Sequence, residues 1–332
     1  MVKNTSLSNS RIKELISNLY GLTVEQISDM PGGSMKSSVK VEIGGKSYVL
    51  SFFDGHEISE VHCLSDLLVS GTGKELIKAP PIPGKNGSTV FDFNGTPVML
   101  KPFIEGEVKR NLTLDDYKLV GEKLGKLNLI TDAKGLEGRT SGMPIDEAEM
   151  IRNPDLESGK FFRNLSEEET KSVFSQMNSL LERTLPIEER LTALPQALIH
   201  GDLFWDNLVK EDSGSIEFID FDFAGLGVPV VDIGMALLGM CRGEIGLDVE
   251  KTEAFMTGYC QTRTLSKDEI ENLDGAVLNA AAIVCSSRFV RHNMIFPNEE
   301  LFDYYKEMLN FIDELDSNSS VFGGFELTTD TI

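Results

Sequence analysis

The stretch His200-Gly-Asp-Leu-Phe-Trp-Asp-Asn207, followed by Ile219-Asp-Phe-Asp-Phe-Ala224, constrains this chain more than any other feature. The apolar run Ala197-Leu-Ile199 reads as a strand that delivers Asp202 to a loop, and Asn207 follows within that loop. The pattern then predicts a strand Asn207-Leu-Val209, a turn Glu211-Asp-Ser-Gly214, and a strand alternating through Ile216 and Phe218 to Asp220. An isolated His-Gly-Asp is most often a turn with a surface Asp. The order and spacing of both halves around a hairpin are far less common, and such context turns a short match into a site. A loop carboxylate can accept a hydroxyl proton. An Asn amide oxygen and a second carboxylate are hard oxygen ligands suited to Mg²⁺ carrying ATP phosphates, so the layout is that of phosphoryl transfer.

At 332 residues the chain exceeds the usual size of one core, and two lobes are expected. Organisation changes near Lys101-Pro-Phe-Ile104. Before it, Val39–Ile43 and Ser47–Phe53 alternate around Gly44-Gly45 as a hairpin, a helix is predicted from Glu57 to Val69, and two more strands flank Asn94-Gly95. After it, helical stripes dominate: Tyr117, Val120, Leu124 and Leu127; Val173, Met177, Leu180 and Leu181; Phe302, Tyr305, Leu309 and Ile312. Ser166 with Glu169, and Ser266 with Glu269, read as capping boxes that open helices. The expected organisation is an N-lobe over 1–103, a C-lobe over 104–316 and a disordered tail over 317–332.

The 31 Lys and Arg against 53 Asp and Glu give a net charge of -22. Such a surface repels nucleic acid and anionic membranes, so neither is expected as a partner. It repels free ATP too, which would have to arrive as its Mg²⁺ complex or meet a locally basic cleft. The carboxylates are dispersed, as solubility or a salty habitat would require. The four Cys form no CxxC pair and read as reduced thiols. No apolar run approaches a membrane span and the first residues lack an apolar h-region, so the expectation is a cytoplasmic protein, monomer or homodimer.

With these motifs in place, the sequence resembles the aminoglycoside phosphotransferase and choline kinase superfamily, small-molecule kinases with a protein-kinase-like fold. The resemblance implies an α+β, two-lobed fold with a small β-rich N-lobe and a larger helical C-lobe, and ATP and Mg²⁺ as cofactors. It implies Asp202 as catalytic base and Asn207 and Asp220 as metal ligands. Met30-Pro-Gly-Gly-Ser-Met-Lys-Ser-Ser38 stands where the superfamily has its nucleotide-covering loop; backbone N–H groups there can approach phosphates, with Lys36 adding charge. Gly33, Ser34 and Lys36, with Glu60 on the following helix and Lys101 and Phe103 at the junction, form the expected nucleotide set. His200 is expected to be structural. Asp232 is expected to brace the loop, to cap a helix, or both. Asp206 and Asp222 are supporting carboxylates and Trp205 a candidate pocket wall. Arg288, one turn from Arg291, is a candidate clamp for a substrate carboxylate.

One expected part is missing. Kinase-like enzymes carry a cation on the third strand, and in Tyr48-Val-Leu-Ser-Phe-Phe53 its place falls to Ser51. Lys36 or Lys40 is the expected substitute. The phosphotransferase-like homoserine kinases resemble the chain at this same point, with a small hydroxyl residue there. They also share the His-x-Asp-Leu-Phe-x-Asp-Asn loop, Ile-Asp-Phe-x-Phe-Ala, and the later Gly258-Tyr259, Arg263-x-Leu265-Ser266-x-x-Glu269 and Arg288-Phe289. The chain departs from them at Lys36-Ser-Ser38 and Trp205, and it carries Asn128 where the superfamily often has His. The resemblance implies a kinase of a small hydroxylated metabolite, homoserine foremost, with choline, ethanolamine, an aminoglycoside or a sugar as rivals. A nucleotide-binding pseudokinase acting as an interaction module is the alternative of another class.

Overall fold

Two pairs of turn residues fold the N-terminal sheet. In the computed structural model Gly44 and Gly45 have φ of 58° and 71°, and Asn94 and Gly95 have φ of 55° and 86°. Left-handed backbone at both central positions is what a tight hairpin turn demands, and Gly and Asn tolerate it best. The structure describes residues 7–30, 36–54, 56–70, 76–132, 145–153, 161–163 and 165–317. Gly33, Ser34 and the segment 318–332 therefore lie outside the described residues.

The described chain groups into two compact units. The first comprises 1–107, 132–139 and 209–218. It contains α1 (Asn9–Tyr20), β1 (Gln26–Asp29), β2 (Ser37–Ile43), β3 (Lys46–Phe52), α2 (Ile58–Val69), β4 (Val90–Phe93) and β5 (Thr96–Pro102). The five strands form one antiparallel sheet in the order β1-β2-β3-β5-β4. One sheet face carries Val41, Ile43, Leu50, Phe52, Val98 and Leu100, which pack with Ile12, Leu15, Ile16 and Tyr20 of α1. That face follows from the strand period of two, and the matching helix stripe from spacings of three and four.

The opposite face is polar at its centre. Ser38 pairs across to Ser51 and Ser51 to Met99, while Lys40 pairs to Val49 and Val49 to Lys101. The hairpin of β7 (Leu208–Lys210) and β8 (Ile216–Phe218) also belongs to this unit from Val209 onward. Glu107 and Lys210 exchange both backbone hydrogen bonds at 2.9 Å, and Lys78 ion-pairs with Glu211.

The second unit comprises 108–131, 140–208 and 219–332. Its elements are α3 (Leu114–Leu127), α4 (Ile145–Arg152), α5 (Glu167–Thr192), β6 (Ala197–Ile199), β9 (Gly225–Gly227), α6 (Pro229–Met240), α7 (Val249–Cys260), α8 (Lys267–Glu271), α9 (Leu273–Val290) and α10 (Lys306–Ser317). Both expected capping boxes are present, at Ser166/Glu169 and Ser266/Glu269. The fully buried α9 residues Ala280, Cys285 and Phe289 anchor the helical core, and Phe289 stands 5.4 Å and 5.1 Å, ring to ring, from Phe174 and Tyr305. The sequence expectation about apolar runs needs correction here. Leu273–Ile295 is long and apolar enough to cross a membrane by length and composition, because its helix is surrounded by α5, α6 and α10 and is mostly buried.

α3 and α7 touch backbone to backbone. A Cβ added at Gly121 would stand 2.0 Å from the Phe255 carbonyl oxygen, and one at Gly258 would stand 1.9 Å from that of Lys118. Only hydrogen fits at those two positions, and this close approach sets where Tyr259, the next residue on α7, meets the end of α3.

Candidate active site

Strand β6 pairs antiparallel with β9, and the catalytic-type loop hangs between β6 and the turn Trp205–Asn207. Within the second unit the two halves of the motif are hydrogen-bonded to each other. The Ile219 N–H donates to the Asn207 carbonyl at 3.0 Å, and the Ile219 carbonyl lies 2.9 Å from His200 Nε2. Both peptide groups of Ile219, the residue before Asp220, are thus held by the loop that carries Asp202.

His200 is fully buried, and the hydrogen bonds at its two ring nitrogens fix its chemistry. A carbonyl can only accept, so Nε2 carries the proton; the Asp202 N–H donates to Nδ1 at 3.4 Å, so Nδ1 is bare. The ring is neutral, and burial lowers its pKa in the same direction. His200 is a strut between the two motif halves and not a proton carrier.

Asp202 has the opposite character. Burial first, then the charges of Asp220 and Asp206, push its pKa up to about 7, against the pull of Arg291 and of the Asn207 amide. Asn207 donates through its amide nitrogen to the Asp202 carbonyl at 2.7 Å and to an Asp202 carboxylate oxygen at 3.3 Å. With its N–H groups so directed, its amide oxygen is turned away from Asp202 and can serve as a metal ligand. Asp220 sits at φ 61°, ψ 61°, a left-handed conformation for which Asp is among the better-suited residues. Asn207 and Asp220 together fit a hard divalent cation, which would take its remaining ligands from water and phosphate. Among the described residues no group of three His, Cys, Asp or Glu could hold a metal by itself.

Asp232 braces the loop: its carboxylate accepts the backbone N–H of His200 at 2.9 Å and of Gly201 at 3.0 Å. It does not cap a helix. Val228 is the N-cap of α6, and Asp232 lies inside the first turn, where its negative charge also suits the helix dipole. Asn128, a site residue that sequence reasoning noted only as a departure, donates to the Asp232 carboxylate at 3.1 Å and to the Leu198 carbonyl at 2.9 Å.

The other candidates scatter. Trp205 is half-buried, with Arg110 5.6 Å above its ring. Asp206 is exposed and Asp222 half-buried. Arg288 is committed to Glu307 at 2.8 Å and lies 3.7 Å above the Tyr304 ring, while Glu307 also pairs with Arg242 at 2.6 Å. Arg291, which opens a π-helical turn after α9, is the arginine whose charge is felt at Asp202.

In the first unit, Ser51 is buried and its hydroxyl lies 3.0 Å from that of Ser38, so a neutral pair stands where a strand cation is expected. Glu60 closes the capping box of α2 by accepting the Glu57 N–H at 3.1 Å. Lys36 Nζ lies 5.7 Å from the Phe53 ring centroid. Lys40 covers the Phe103 ring at 4.0 Å and pairs with Glu105 at 3.5 Å. Lys101 shares the Ser51 face through its pairing with Val49.

An antiparallel β unit, a helical unit and an Asp-Asn-Asp constellation on a strand-borne loop define a kinase-type phosphotransferase. The chain belongs to the phosphotransferase enzyme family, which residues 28–267 match. A homoserine kinase of Methylobacillus flagellatus is 24% identical over 283 residues, 84% of either chain. A homoserine kinase of Afipia carboxidovorans is 28% identical over 196 residues, 57% of this chain and 55% of that one. Among solved structures, spectinomycin phosphotransferase APH(9)-Ia in complex with ADP and spectinomycin superposes with a TM-score of 0.66 at 18% identity, over 94% of this chain and 99% of that one. The choline kinase LicA from Streptococcus pneumoniae does so with a TM-score of 0.59 at 15% identity, over 93% and 98%. At such identities these structures share the fold.

Proposed function

We propose that the chain is an ATP- and Mg²⁺-dependent kinase of a small hydroxylated metabolite, with homoserine the leading acceptor. The observation that carries this reading is the orientation of Asn207. Its N–H groups are directed at Asp202, which leaves a hard oxygen for metal beside a carboxylate whose pKa is raised toward neutrality. Asp202 orients the acceptor hydroxyl and takes its proton, and a base poised near the working pH does this best. When bound, the metal supplies charge that offsets what develops on the transferred phosphoryl group. His200 stays neutral throughout and keeps Ile219, and therefore Asp220, in place. Arg291 suits an acceptor that bears a carboxylate better than a cationic one, and the relatives named homoserine kinase support the same choice.

The test is ADP release with Mg²⁺ and a panel of L-homoserine, choline, ethanolamine, an aminoglycoside and a sugar. Release with homoserine well above the acceptor-free rate is expected. Release only with another acceptor would replace homoserine and keep the class. No release with any of them would favour the interaction module, which the neutral Ser38–Ser51 pair is the one observation to support.

In this reading Lys36 replaces the strand cation. It lies over Phe53, the residue that directly follows β3, two positions after Ser51. Lys36→Ala is expected to lower kcat/KM for MgATP by roughly tenfold or more, since uncompensated phosphate charge is costly in a site poor in water. Lys40→Ala, already paired to Glu105, should do less. Equal effects in steady-state kinetics would remove Lys36 from this role.

A further inference from the structure

Behind the catalytic loop, the second unit holds a chain of buried polar groups that the chemistry above does not use. Asn128, Asp232 and Tyr259 are all at most 2% exposed. The Tyr259 hydroxyl lies 2.8 Å from Asn128 Oδ1, and the Asn128 amide nitrogen reaches both Asp232 and the Leu198 carbonyl. The directions are fixed by what each group can do. A carbonyl and a carboxylate only accept, so the Asn128 NH₂ must face them. Its oxygen must then face Tyr259, and the tyrosine must donate. Rotating the amide would aim its oxygen at two other oxygens.

The chain has an anchor at each end. Outward, the Arg263 guanidinium sits beside the Tyr259 hydroxyl and pairs at 2.6 Å with Glu269, the carboxylate of the capping box that starts α8. Inward, Asp232 accepts the N–H groups of His200 and Gly201, the two residues before Asp202. Gly201 sits at φ 80°, with the Phe223 carbonyl 2.5 Å from where a Cβ would be, so the loop has little room to find another path.

We propose that Tyr259 and Asn128 are positioning residues for phosphoryl transfer: by fixing one rotamer of the Asp232 carboxylate they hold the His200 and Gly201 peptides, and through them the Asp202 side chain, in reactive register. The proposal deepens the kinase reading and rests on it for the rate effect only. Its effect on the loop backbone is independent of any acceptor.

Two variants test it. Tyr259→Phe keeps the ring, which stacks on Phe255 at 6.4 Å, and removes the hydroxyl, and with it the donor to Asn128 and the contact with Arg263, whose pairing with Glu269 remains. Asn128→His places an imidazole that can accept from Tyr259 and donate to Asp232, so it preserves the relay while losing the Leu198 contact. Stability, steady-state kinetics and hydrogen exchange of the peptides spanning 197–207 are measured on each. For Tyr259→Phe the expected result is a fall in kcat of roughly tenfold with both KM values kept, and roughly tenfold faster exchange at His200 and Gly201, since an unmet buried hydrogen bond costs about that factor. Asn128→His should stay within about threefold of the parent in both readouts, being a change of partner geometry without loss of the relay. Unchanged loop exchange in folded Tyr259→Phe overturns the proposal, as does a lost rate with protection intact. If the protein phosphorylates no acceptor, the kinase reading falls, while the exchange readout still decides whether the relay holds the loop.

Discussion

Asp202→Ala is expected to lower turnover by on the order of 100-fold or more while MgATP affinity changes little, because a positioned base contributes roughly 10²–10⁴ to a proton transfer. In the proposed function nucleotide is bound by other groups: Asn207 and Asp220 through the metal, and Lys36 through charge. The substitution also removes a carboxylate whose folded-state pKa stands at about 7, well above that of an unfolded Asp. The sign of the linkage follows. A raised carboxyl pKa gives stability that is full below the unfolded value near pH 4 and is lost as pH rises toward 7, so at neutral pH the ionised Asp202 weighs against folding. In metal-free protein at pH 7.5 the variant should therefore melt no lower than the parent. A folded Asp202→Ala protein with near-parental turnover would take Asp202 out of the mechanism.

Asp220→Asn should weaken Mg²⁺-dependent nucleotide binding by at least the roughly 10- to 100-fold that loss of a supporting contact costs at a metal site, and should leave metal-free binding almost unchanged. The substitution isolates charge with unusual cleanness. Asn tolerates left-handed backbone as Asp does, so the φ of 61° at this position is no obstacle, and the side chain keeps its shape. Titrations with and without Mg²⁺ that lose equal affinity would show that Asp220 is not a ligand. Because Ile219 is hydrogen-bonded through both its peptide groups to the catalytic loop, a variant that loosened the backbone instead would also speed hydrogen exchange around Asn207.

The local elements were legible where one short-range rule decides them. Gly44-Gly45 and Asn94-Gly95 demand tight hairpins, and Ser166 and Ser266 with their glutamates start helices, because each is settled within a few residues. The third apolar series was shifted: α10 begins at Lys306 and buries Met308, Phe311 and Ile312, while Phe302 precedes it. Helix α1 carries its period in Ile12, Leu15, Ile16 and Leu19, but about two turns of apolar spacing are a weak signal without the sheet they pack on.

The sequence by itself determined the residues on which the proposed chemistry rests: Asp202, Asn207 and Asp220 in that order, on a loop and at a strand end, with a hydroxyl where a cation is expected. Their spacing is a local property of two strands and a turn, so it survives in one dimension. Tertiary structure alone decided which of the remaining polar groups serve that loop. Arg288 and Arg291 are indistinguishable as letters one helical turn apart, yet Glu307 on α10 takes the first and the second acts on Asp202. Asn128 and Tyr259 lie 131 positions apart in the chain and meet because Gly121 and Gly258 let α3 and α7 touch. Hydrogen-bond partners across such a separation are set by helix packing, and packing has no signature in either segment alone.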